Sequence, residues 1–103
     1  MDNGKNAQTY VEILKGHTAW AARKTAARKL GSVGGELAFS ALLDALKSDD
    51  FWMIRCAAVQ GLEELGDVRA IPVLVKARDD DPVDIVRQFA GRAVERLQER
   101  LAA

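Results

Sequence analysis

Cysteine is almost missing from this sequence: Cys56 stands alone, so no intrachain disulfide can form, and the chain suits a reducing compartment. Histidine is equally scarce. His17 is the only one and has no carboxylate or cysteine at helical ligand spacing, so no metal and no cofactor are expected. A charge excess is lacking too. Fifteen basic residues face fifteen acidic ones, which removes the usual argument for nucleic acid or a membrane surface. No apolar run approaches the roughly 20 residues that span a bilayer. Residues Met1 to Lys5 lack the apolar core of a signal peptide, so a cytoplasmic location is expected. Prolines number two and aromatics are few, while alanine is plentiful, a balance that favours helices.

The familiar marks of catalysis are absent as well. There is no glycine-rich phosphate loop, serine elbow or paired-carboxylate motif. Glu63 and Glu64 are adjacent, so on a helix they diverge by about 100° instead of converging as an acid/base pair. The run Asp79, Asp80 and Asp81 with Asp84 lacks the glycine and distal glutamate of a calcium loop and reads as a solvated turn. Cys56, beside Met53 and Arg55, has no catalytic partner and reads as a passive thiol. The chain is not expected to be an enzyme.

What is present is repetition. With an offset of 32, identical residues fall at Trp20/Trp52, Arg23/Arg55, Ala26/Ala58, Leu30/Leu62, Gly34/Gly66, Ala38/Ala70, Leu42/Leu74, Ala45/Ala77 and Asp49/Asp81. The steps between successive pairs are three or four residues, which is helical spacing, and no insertion interrupts them. A third copy follows, Arg87 and Ala90 matching Arg55 and Ala58, and Leu14-Lys15 anticipates Leu46-Lys47. Such a chain is a repeat array.

Each copy reads as two helices. The spacing predicts helices near residues 5–15, 18–33, 36–47, 50–65, 68–78 and 82–100. Thr18, Asp49 or Asp50, and Asp81 are expected caps of the longer helices, with Pro82 at a first helical position. Gly34 and Gly66 are expected to close them, and Asp67 to cap the next shorter one. The expected fold is all-α: a right-handed α-α superhelix of three helical hairpins, one domain over residues 1–103 with units at about 5–34, 35–66 and 67–100.

Residues 49–97 contain the pattern D-x-x-x-x-[IV]-R-x-x-A, then L-x-x-[LI]-G-D-x-[RA]-A-[IV]-P-x-L, in register across adjacent units. This resembles the short HEAT-like repeats named after phycobilisome lyases, and the resemblance covers residues 17–100. It implies a scaffold more often than an enzyme. It also implies a ladder of Arg23, Asp49, Arg55, Asp81 and Arg87 between neighbouring units. His17 stands where Asp49 and Asp81 stand in the later copies, so the first rung lacks its carboxylate. The period is shorter than the roughly 40–47 residues of the longer HEAT units.

The resemblance further implies that the longer helices line a concave surface that receives partners. On a helical wheel their outward stripe carries Trp20, Lys24, Ala27, Arg28 and Gly31 in the first copy. The second places Trp52, Cys56, Val59, Gln60 and Glu63 there, and the third Asp84, Gln88, Gly91, Arg92 and Glu95. The expected function is a non-enzymatic interaction or scaffold module. Trp20, Lys24, Arg28, Trp52, Cys56, Gln60, Gln88 and Arg92 would form the surface for another protein or peptide. The tryptophans would anchor an apolar segment, or pack against the neighbouring unit with only an edge in water, and the basic rim would favour an acidic segment. The pattern also accommodates a homodimer through the same face. The alternative is a bilin lyase-like or phycobilisome-associated subunit, as the family name implies. Backbone binding of nucleic acid, known in HEAT-like glycosylases, is disfavoured by the neutral charge.

Overall fold

The computed structural model describes residues 6–16 and 19–103. It contains six α-helices: α1 (Ala7–Gly16), α2 (Trp20–Val33), α3 (Glu36–Ser48), α4 (Trp52–Leu65), α5 (Ile71–Asp80) and α6 (Asp84–Ala102). A single 3-10 turn, Val68–Ala70, leads into α5. The described residues contain no strand.

Glycine and aspartate set the helix ends. Gly34 stops α2 with φ 76°, and its N–H donates to the Leu30 carbonyl. Gly66 stops α4 in the left-handed region at φ 74° and ψ 16°, bonding back to Leu62. A side chain is strained in that region, and glycine is not. The Asp67 carboxylate accepts the Arg69 N–H and opens the 3-10 turn. Pro72 follows inside the first turn of α5, where no helical N–H bond is lost.

Two starts differ from expectation. α4 begins at Trp52 with Phe51 as its N-cap, and α6 begins at Asp84 with Val83 as its N-cap; neither cap uses a side chain. Asp49 and Asp81 sit two residues earlier, where each carboxylate accepts the N–H two positions on, Phe51 at 3.0 Å and Val83 at 2.9 Å. These are Asx turns, which orient the carboxylates toward arginines instead of the helix end. Pro82 therefore lies in the turn, ahead of the helix. Thr18 and His17, expected as a cap and as the departure from the ladder, lie outside the described residues.

Consecutive helices pack as pairs, α1 with α2, α3 with α4 and α5 with α6. The long helices α2, α4 and α6 lie side by side in one layer, and α1, α3 and α5 form the other. The result is a flat slab with extents of 36 × 31 × 16 Å. Leu14, Leu30, Leu42, Ile54, Leu62, Leu74, Val86, Val94 and Leu97 fill the space between the layers with essentially no exposure. Burial of one such side chain contributes about 1.5–3 kcal/mol. Since α4 is flanked by α2, α3 and α6, it is buried on nearly every side, and every residue from Ile54 to Val59 is buried.

Candidate functional site

Charged rungs tie the helical pairs together along the turns before the long helices. Arg23 of α2 forms an ion pair with Asp49, and its Nε donates to the Leu14 carbonyl at 2.8 Å. One pair further on, Arg55 donates through Nε and Nη2 to the two carboxylate oxygens of Asp81, at 2.8 and 3.1 Å. Its Nη1 reaches the Asp49 carbonyl at 2.8 Å. Arg87 instead donates to the Asp81 carbonyl at 2.6 Å and to the exposed Asp84 at 3.1 Å. Burial pushes the Asp81 carboxyl up, but hydrogen bonds from Arg55 and Val83, with the charges of Arg55 and Arg87, hold it below the usual carboxylate range. The donors of Arg55 are spent inside this network. These residues hold pairs of helices together and offer a ligand little.

The first turns of α2 and α4 carry aromatic rings. Trp20 is 47% exposed and Trp52 is 40% exposed. Phe51 joins them: its ring lies edge-on to Trp20 at 6.2 Å and to Trp52 at 6.5 Å between centroids. Edge-to-face geometry suits aromatic quadrupoles and fixes the rings without covering them. Phe51 was absent from the expected surface because a helix over 50–65 turns it inward; as the N-cap ahead of α4 it points instead to the two indoles.

Further along the same helices the surface becomes basic. Arg28, Gln60 and Arg92 occupy equivalent positions of the three copies and line one groove of about 500 Å³. Phe89, Arg96 and Arg100 complete its α6 wall, and Glu63 and Glu64 its α4 wall. Arg96 pairs with Glu63, while Glu64 accepts the Ser32 hydroxyl at 3.1 Å. The Arg92 guanidinium lies 5.2 Å from the centroid of Phe89, a cation–π distance. Arg96 and Arg100 were legible only as polar surface of the last helix, although they follow Arg92 at successive four-residue steps on one helical stripe.

Placement of the expected surface residues is mixed. Trp20, Arg28, Trp52, Gln88 and Arg92 are exposed, and Lys24 and Gln60 are half-buried. Cys56 is not on the surface: it is 7% exposed, and Val59 and Ala27 are fully covered. The reason is the crowding around α4. The side of the long helices read as outward turns toward the next long helix, leaving only a narrow stripe through Gln60 and Glu64 in water. Burial raises the Cys56 thiol, the Asp81 charge raises it further, and Arg55 opposes both, so at neutral pH it remains a protonated thiol.

Two other hollows lie elsewhere. One of about 620 Å³ runs along the turns, lined by Lys15, Asp44, Asp50 and Phe51. Another of about 570 Å³ lies between α3 and α5, with Leu46, Pro72, Val73 and Ala77 on its wall. Among the described residues, no group of three or more histidine, cysteine, aspartate or glutamate side chains could hold a metal ion. No described helix is long and apolar enough to cross a membrane.

The family model for HEAT repeats matches residues 7–95 of the chain. A search of curated proteins gave no match.

Proposed function

From the premise that this chain belongs to the HEAT-repeat family, we propose that it is a non-enzymatic interaction module whose long-helix layer receives a segment of another protein. HEAT repeats commonly serve as protein-interaction scaffolds. The observation that carries the reading is the exposure of Trp20 and Trp52 around Phe51. Indole rings bury 150–250 Å² each when covered and dominate interface energetics, typically as central anchors. Packing within the chain, including the edge contacts with Phe51, covers rather more than half of each residue, and the remaining exposed part of each indole is available to a partner. The fold needs neither indole for its core, whose buried residues lie elsewhere in the helices.

The test compares three immobilised proteins: the wild type, the double variant Trp20→Ala/Trp52→Ala, and Leu37→Ala. Leu37 is as exposed as the indoles, at 45%, but belongs to the other layer. Circular dichroism should show the same helicity for all three, because none of the three side chains belongs to the buried core. A partner captured from the host, purified and titrated directly, should bind wild type and Leu37→Ala alike and lose affinity for the double variant. If the folded double variant holds every partner at wild-type affinity, the reading is wrong.

A further inference from the structure

The chemistry of one occupant can be read from the basic half of the long-helix layer; the inference rests on that layer being a partner surface. Four arginines and two glutamates line the groove between α4 and α6. Glu63 is taken by Arg96 and Glu64 accepts from Ser32. Arg28, Arg92 and Arg100 have no carboxylate partner among the described residues; the Arg100 guanidinium lies against Gly66 at the groove's end, and Arg92 is held over Phe89. Two guanidinium forks therefore flank Gln60, whose amide can both donate to and accept from a peptide backbone.

We infer that this groove binds an extended, glutamate- or aspartate-rich peptide segment running across α2, α4 and α6. One carboxylate sits on Arg28, another on Arg92, and the intervening backbone lies against Gln60. Guanidinium groups match carboxylates bidentately, which gives direction as well as attraction. The spacing follows from helix packing. Arg28 and Arg92 stand on helices two packing distances apart, about 16–20 Å at 8–10 Å per step. An extended segment covers that in about five or six residues at roughly 3.3 Å each. A nucleic-acid strand fits less well. Its evenly spaced phosphates would have to pass Glu63 and Glu64 in the groove wall, whereas a peptide places charge only where the arginines are and offers N–H donors to Glu64.

The test uses three fluorescein-labelled probes: a ten-residue Glu/Ser peptide, its Gln/Ser counterpart, and a single-stranded oligothymidine of equal charge. Fluorescence anisotropy at low salt should show the Glu/Ser peptide binding the full-length chain, with affinity falling as salt rises. The Gln/Ser peptide and the oligothymidine should bind more weakly. Arg28→Ala and Arg92→Ala should each weaken the acidic peptide about ten- to a hundredfold, the range that corresponds to loss of one charged hydrogen-bonding group. Lys47→Ala, an exposed cation on α3, serves as the charge control and should change nothing.

Equal binding of the Glu and Gln peptides, or equal losses from Lys47→Ala and the arginine variants, would overturn the inference. Tighter binding of oligothymidine would overturn it in favour of phosphate. The arms also separate it from the reading beneath it. Loss of a captured partner on Trp20→Ala/Trp52→Ala with no acidic-peptide binding removes the groove and keeps the aromatic surface; the reverse pattern removes the aromatic surface alone.

Discussion

Along the long-helix layer α4 has two neighbours, and the two junctions are built differently. Toward α2 the helices close until backbones touch. A Cβ on Gly31 would stand 2.7 Å from the Gly61 carbonyl oxygen, and one on Gly61 would stand 2.7 Å from that of Ala27. Toward α6, the position equivalent to Gly31 is Glu63, whose carboxylate reaches Arg96 across an open groove. The rungs run the other way. Arg55–Asp81, between the second and third pairs, leaves its side chains 11% and 6% exposed, against 18% and 13% for Arg23–Asp49. One junction is thus held mainly by close helix approach, and the other by a buried ion pair. The wider junction is the one that leaves room for a ligand.

This contrast can be broken most forcefully at the buried rung. Arg55→Ala strips the Asp81 carboxylate of its two guanidinium hydrogen bonds, leaving it the Val83 N–H and the Arg87 charge, and should cost about 3 kcal/mol, the low end for a broken buried pair. Arg23→Ala, at the more hydrated rung, should cost about 1–2 kcal/mol. Urea denaturation of both variants measures the difference, and equal costs would erase the proposed division between junctions.

A smaller effect is expected at the helix contact. Gly61→Ala places a methyl against backbone and the Leu42 side chain and should cost about 1–3 kcal/mol, read as a lower denaturation midpoint.

Acid should weaken the second junction. The Asp81 carboxyl is held low, so its contribution is complete above the usual carboxylate value of about 4 and fades as pH falls through its lower folded-state value. Stability of the wild type should fall over that range more steeply than stability of Asp81→Asn. Parallel pH profiles would show that the rung does not titrate with folding.

The smallest effect has the opposite sign. Gly91, the helical glycine of α6, would place a Cβ no closer than 3.6 Å to Arg78. Gly91→Ala should therefore raise stability by about 0.5–1 kcal/mol by removing backbone freedom from the unfolded chain. A loss there would mean that the third pair is packed as tightly as the first two.

Much of this architecture was legible in the sequence because three- and four-residue steps fix which side of a helix a residue occupies. The helices came within a few residues of their observed ends, and Gly34, Gly66 and Asp67 act where their chemistry placed them. The starts of α4 and α6 were misread because Asp49 and Asp81 resemble caps in sequence but use their carboxylates on arginines and Asx turns. Cys56 was misplaced for a different reason. A wheel drawn on one helix knows the partner helix beneath it but not the two neighbours at its sides. Phe51 was missed because a helix over 50–65 puts it on the inward stripe with Ala58 and Leu62, whereas the observed helix starts after it, and the groove because its width depends on whether a glycine or a glutamate meets the next helix.

The account stands most directly on the two tryptophans, which are the only ones in the chain and so report on the aromatic surface without interference. Their emission and acrylamide quenching should be measured in the free protein and again with a saturating, tryptophan-free partner segment. The account predicts solvent-exposed emission with ready quenching in the free protein, then a blue shift and protection when the segment binds. Binding that leaves both emission and quenching unchanged would contradict it.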